Sequence, residues 1–163
     1  MLTALALVLG WLDRAIPVTW FLSGAVPGIK LGLANTVLLY AVYLMDWKGC
    51  VLLMLAKVFL SGFMFGSMSA ILYSLSGGVL SLAALAAFFA MGRWKGYGVV
   101  GTSLAGAVAH NIGQILMASS VLRTPQLLYT YLPVLVGIGA AVGCLTGLVG
   151  RRVFQALRLP TGN

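Results

Sequence analysis

Residues 69–91, SAILYSLSGGVLSLAALAAFFAM, run for 23 positions without a charged side chain. As an α-helix rising 1.5 Å per residue, the stretch is about 35 Å long, enough to cross a hydrocarbon core of roughly 30 Å. It therefore reads as a transmembrane helix. The same ruler, applied between polar residues and Gly or Pro punctuation, marks five more: 1–16, which stops at Pro17, then 28–45, 48–65, 97–122 and 132–157. The expected fold class is all-α, a polytopic membrane protein built as a six-transmembrane-helix bundle. No period of roughly 20–50 residues repeats and no linker divides the chain, so residues 1–163 are expected to form a single integral membrane domain.

Composition agrees with a lipid solvent. Of 163 residues, 61% are hydrophobic and 7% charged, and the mean hydropathy is +1.07. Soluble domains carry about 25% charged residues. Two acids and ten bases cannot build the polar shell that a water-soluble core of this size needs. The net charge of +8 does not point to nucleic acid, because the bases stand singly or in pairs between apolar runs and form no basic stripe. Lys95, Arg151, Arg152 and Arg158 read as membrane-flank charges, whose partners are anionic lipid headgroups and the acidic surface of a cytoplasmic protein.

The remaining punctuation bounds the topology. Helix 1 has twelve residues before Asp13 and Arg14, which is short for a full crossing, and it shows neither the basic region nor the small-residue cleavage site of a signal peptide, so it is expected to stay in the mature protein. Between Pro17 and Pro27, VTWFLSGAV is too long for a tight turn and too apolar for a solvated loop; it is expected to cap the bundle as a re-entrant or interfacial segment. With an even number of helices, Lys48, Arg93, Lys95, Arg151, Arg152 and Arg158 share the side of the termini, against Arg14, Arg123 and at most Lys30 on the other. The positive-inside rule then puts both termini in the cytoplasm of a multi-pass plasma-membrane protein. Trp11, Trp20, Trp47 and Trp94 fall near helix ends as interfacial anchors. Glycines at 28/32, 62/66, 139/143 and 143/147 set small residues on single helix faces for close packing.

Ionisable groups inside the membrane need a partner or a role, since each costs about 2.5–3.5 kcal/mol at the bilayer centre. Lys57 lies about 13 Å from either end of helix 3, with Ser61 one turn further on the same face. Lys30 precedes Asn35 on helix 2. The outer half of the bundle holds Arg14, Lys30 and Lys57 against Asp13 alone, while Asp46 sits at the opposite interface. Two readings stay open. Lys57 pairs with Asp13 while Lys30 and Arg14 reach the headgroups, or the surplus charge lines a pocket for a carboxylate or phosphate.

Helix 5 carries His110, Asn111 and Gln114 beside Gly106, Ala107 and Gly113. Three strong polar groups at membrane depth either glue helices together or contact a ligand. A lone histidine without carboxylate or thiol neighbours gives no metal site, and Cys50 and Cys144, more than 90 residues apart, form no redox or zinc motif. Helix 4 opens with Ser67, Ser69, Tyr73, Ser74 and Ser76 before Gly77 and Gly78, a start that suits a cavity mouth, although serine also bonds back to its own helix.

Catalysis is not expected. Prenyl diphosphate synthesis uses aspartate-rich motifs to hold Mg²⁺, and paired-carboxylate hydrolysis needs two neighbouring acids; the chain has only Asp13 and Asp46. It lacks a Walker A sequence, a G-x-S-x-G elbow and an H-E-x-x-H motif. No cofactor is expected.

Four ordered motifs, PGIKLGLAN (27–35), YSLSGG (73–78), HNIGQ (110–114) and YLPVL (131–135), resemble the Gx transporter family, also described as heptaprenyl diphosphate synthase component I. Through it the chain is similar to the substrate-binding S components of energy-coupling factor (ECF) vitamin transporters. The resemblance covers nearly the whole chain. It implies a six-helix fold with a ligand pocket opening outward under the loop between helices 1 and 2. It further implies docking, through small residues of helix 1, onto a transmembrane subunit driven by two ATPases. Ala6 and Gly10, in place of the usual alanine pair, are the docking residues it offers.

Two functions follow as expectations. The first is a substrate-binding or transport subunit for a small anionic or amphipathic molecule, such as a vitamin or a quinone or prenyl precursor. Its substrate-binding candidates are Lys30, Asn35, Lys57, Ser61, Tyr73, His110, Asn111 and Gln114, with lysines holding the anionic group and the amides and His110 orienting the rest. The second is a noncatalytic membrane scaffold for a prenyl diphosphate, quinone or electron-transfer assembly.

Overall fold

The computed structural model describes residues 2–15, 33–65, 68–95 and 98–156, and all regular structure there is helical. Helix α1 spans Leu2–Ala15. A 3-10 turn, Leu33–Asn35, leads into α2, Thr36–Leu44. Then follow α3, Trp47–Phe65; α4, Met68–Lys95; α5, Val99–Leu122; and α6, Gln126–Ala156. Four stretches are long and apolar enough to cross a membrane: Trp47–Met64, Met68–Met91, Val99–Leu122 and Gln126–Ala156. Among the described residues, four candidate crossings thus stand where six were expected. Helix α1 is a shorter apolar helix, and α2 has nine described residues. The cap expected between Pro17 and Pro27, the start of the expected second helix and Lys30 lie outside the described residues.

Burial follows the logic of lipid solvent. Leu52, Phe63, Met68 and Leu145 are all at least 65% exposed, while Lys57, Asn35, His110, Asn111 and Gln114 are buried. In hydrocarbon, apolar side chains lose nothing by facing outward, and polar ones must be satisfied inside. The chain is therefore a helical membrane bundle.

Helix α5 lies between α4 and α6, and glycine sets both distances. On α6, a Cβ at Gly143 would come within 2.8 Å of the Leu104 Cα, and one at Gly147 within 2.8 Å of the Val100 Cα, so α6 rests directly on the backbone of α5. On the other flank, a Cβ at Gly113 would meet the Ser76 carbonyl oxygen at 2.7 Å. The expected small-residue face at 139, 143 and 147 is thus a packing surface. Gly28, Gly32 and Gly66 lie outside the described residues.

Helix α2 is buried through Val37, Leu38, Leu39 and Ala41. Its end is gripped by aromatic rings: Phe154 of α6 contacts Tyr40 edge-on at 5.2 Å and Tyr43 at 4.8 Å, and Tyr43 also meets Phe89 of α4 edge-on at 4.8 Å. Met45 then turns extended (φ −123°, ψ 160°), and α3 restarts within two residues.

Two helix boundaries differ from expectation. Helix α4 continues through Lys95, past the expected end at Met91, and α6 begins at Gln126, six residues before the expected start at Leu132. Pro133 has the look of a boundary, yet it is the eighth residue of α6. Its ring removes only one N–H, and the real break lies upstream. Arg123 ends α5 in the left-handed region (φ 51°, ψ 35°), and Pro125 opens α6, with Leu128 N–H donating to the Pro125 carbonyl at 3.0 Å.

The pair offered for docking, Ala6 and Gly10, shares one face of α1 with Asp13. That face points into the bundle, where Ala6 is fully buried in the apolar core. Residues four and seven apart on a helix lie on one stripe, so burying Asp13 and Ala6 buries Gly10 with them. The outward face of α1 is Leu5, Val8, Trp11 and Leu12.

Candidate functional site

The polar residues of α5 recur at helical spacing, and Ser103, Gly106, Ala107, His110, Asn111 and Gln114 are all buried. Because α5 is covered on two sides, successive residues, about 100° apart around the helix, serve different neighbours. His110 and Gln114 face α4. Asn111 faces α6.

On the α4 side, Gln114 Nε2 lies 3.0 Å from His110 Nε2. An amide nitrogen only donates, so the ring nitrogen accepts and the neutral imidazole carries its proton on Nδ1. Gly77 makes room for this pair: a Cβ there would fall 2.8 Å from His110 Nδ1 and 2.9 Å from Gln114 Cγ. Beside it, Ser76 Oγ donates to the Gly113 carbonyl at 2.9 Å. One turn along the seam, Asn35 Nδ2 donates to Ser81 Oγ at 2.5 Å and to the Gly106 carbonyl at 3.4 Å. Asn35 stands at the N-cap of α2 but makes no side-chain cap bond, so its amide is committed to α4 and α5. Its Oδ1 is buried and has no hydrogen-bond partner among the described residues.

On the α6 side, Asn111 Nδ2 donates to the Leu135 carbonyl at 2.8 Å. Nearer the start of α5, Ser103 Oγ and Thr146 Oγ1 are 3.0 Å apart. Thr146 Oγ1 also donates to the Val142 carbonyl at 2.8 Å, so its single proton is used and Ser103 is the donor between the two. A small chamber of about 10 Å³ is lined by Asn35, Thr36, Leu39, Leu85, Ser103, Ala107, Val142 and Thr146.

The other candidates sit elsewhere. Lys57 and Ser61 are buried one turn apart on α3, and Asp13 is buried on α1, which packs against α3. Tyr73 is buried in an apolar cluster with Ile115, Ala118, Leu127 and Leu135. The hydroxyl-rich start of α4 is therefore divided between apolar packing and the Ser76 bond to α5. Lys30 lies outside the described residues. Among the described residues, no three His, Cys, Asp or Glu side chains come together as metal ligands.

Asn35, His110 and Gln114 thus join one seam, and Asn111 is turned away from it. Sequence reasoning passed over Ser81, Ser103 and Thr146. The available signal was spacing: Ser81 is one turn from Gly77 on α4, and Ser103 one turn from Ala107 on α5.

A sequence model of the family described as Heptaprenyl diphosphate synthase component I matches residues 2–153. No curated protein and no solved structure matches the chain. Matched over nearly all its length and folded as a helical membrane bundle, the chain belongs to the heptaprenyl diphosphate synthase component I family.

Proposed function

We propose that the chain is a noncatalytic, six-crossing subunit of the plasma membrane, with cytoplasmic termini, that binds a small anionic or amphipathic molecule in the manner of an ECF S component. The observation that carries this is Lys57, an ammonium buried to 5% exposure in the middle of an apolar span, with Ser61 one turn along the same buried face. A cation kept at such depth, against an insertion cost of about 2.5–3.5 kcal/mol, has a function by default. The family name supplies a fitting ligand class. A prenyl diphosphate, or a precursor of one, has an anionic head for lysine and an apolar tail for the bundle interior. With acids only at Asp13 and Asp46, the chain would hold or deliver such a molecule, and the chemistry would belong to a partner.

Gentle purification followed by mass spectrometry of co-purified small molecules tests the proposal. A stoichiometric amphipathic anion is the expected result. A partner protein recovered without any small molecule would favour a scaffold role instead. That second reading draws on the seam itself, where Asn111, Ser76 and Gln114 spend their donors on bonds within the bundle.

A further inference from the structure

We propose that the chamber between Asn35, Ser103 and Thr146 holds one bound water molecule, which donates to the Asn35 side-chain carbonyl and ties the start of α2 to α5 and α6. Three observations carry this. The chamber's volume of about 10 Å³ is close to the least that accommodates a single water. Its wall is polar enough to hold one, since Asn35, Thr36, Ser103 and Thr146 are four of the eight residues that line it. And Asn35 Oδ1, in a residue 95% buried, lacks a donor among the described residues.

The Thr146 and Ser103 hydroxyls spend their protons elsewhere. Thr146 gives its proton to Val142, which leaves Ser103 to donate to Thr146. Both hydroxyls therefore present lone pairs, and so does the Asn35 carbonyl. A molecule with two protons to give serves these acceptors. Water has two, and it can place one on Asn35 Oδ1 and the other on a hydroxyl oxygen. A buried amide carbonyl left bare in so apolar a setting is costly, and a single water removes that cost for a small loss of entropy. A metal cation would also seek these oxygens. No carboxylate lines the chamber, however, and the chain already carries a net charge of +8, so the neutral donor is favoured.

The bridge would make the junction of α2 with α5 and α6 depend on an exchangeable molecule. Asn35 already fixes α2 to Ser81 and Gly106 through Nδ2. Water on Oδ1 completes the amide and extends the tie to the third helix.

Hydroxyl-radical footprinting by X-ray pulse on the full chain in detergent, read by mass spectrometry, tests this directly. Radicals form from water in place, so Leu39 and Leu85, each 1% exposed and lining the chamber, are oxidised only if water is bound there. Leu38 and Ile115, equally buried and outside it, serve as dry controls. The expected result is oxidation of Leu39 and Leu85 above both controls, and its loss in Asn35→Leu. Should that variant fail to fold, Ser103→Ala gives the same readout. Labelling no higher than the controls, or unchanged labelling in a folded variant, overturns the proposal. Labelling that disappears when sodium is replaced by choline also overturns it and assigns the chamber to a hydrated cation.

Discussion

Asn111 of α5 gives its side-chain N–H to the main-chain carbonyl of Leu135 on α6 at 2.8 Å, joining two helices that also meet through glycine and through the Ser103–Thr146 hydroxyl pair. Interhelical bonds of this kind in membranes contribute about 0.6–2 kcal/mol. Asn111→Ala should lower stability by about that amount, seen as a lower unfolding midpoint in detergent. Asn111→Asp should cost more, because a carboxylate brings an acceptor to face an acceptor carbonyl. Equal losses for the two variants would show that the amide's donor is not what holds α6.

The spacing between α5 and α6 predicts opposite outcomes for one substitution at neighbouring sites. Gly143→Ala and Gly147→Ala each drive a methyl to 2.8 Å from a backbone Cα, an atom that moves only with its helix, and should cost about 1–3 kcal/mol. At Gly137 a built Cβ would meet nothing within 4 Å beyond its chain neighbours and the backbone of its own helix. Gly137→Ala should therefore be neutral or add about 0.5–1 kcal/mol through helix propensity alone. Thermal unfolding of the three variants side by side checks the contrast.

The features legible in the sequence were those set by single-residue chemistry. Uncharged runs such as 69–91 announce membrane helices, and the glycines at 139, 143 and 147 announce a packing face. What escaped depended on neighbours. Pro133 resembles a terminus because proline removes an N–H, yet an upstream left-handed Arg123 ends α5 and frees α6 to start early. His110, Asn111 and Gln114 look like one site because they are close in sequence. Only the two-sided burial of α5 sends Asn111 to α6 and the others to α4. The resemblance offers Ala6 and Gly10 as docking residues, and the fold buries both on one stripe of α1 with Asp13.

Arg123 is the one non-glycine residue with positive φ among those described. The left-handed conformation costs a side-chain-bearing residue roughly 1–2 kcal/mol, and glycine avoids it while giving back about 0.5–1 kcal/mol as unfolded-chain entropy. Arg123→Gly should then gain about 0.5–1 kcal/mol. Arg123→Val, β-branched at the same dihedral angles, should lose stability. If valine were tolerated as well as glycine, the left-handed end of α5 would not be the conformation that matters.

Lys57 decides between the proposed ligand and a purely structural charge. A charge-assisted hydrogen bond to an anionic group contributes about 1.5–3 kcal/mol, so Lys57→Met should weaken binding of a short-chain prenyl diphosphate by about 10-fold to 100-fold. Lys57→Arg, which keeps the charge, should retain part of it. Titration calorimetry in detergent measures the affinity, and thermal unfolding without ligand provides the control. If Lys57 serves only to hold the bundle together, Lys57→Met will lower the ligand-free unfolding midpoint and leave affinity in the surviving folded protein unchanged. If it serves the ligand, affinity falls while the ligand-free midpoint holds, since methionine matches the lysine stem in the apolar span and removes a buried charge.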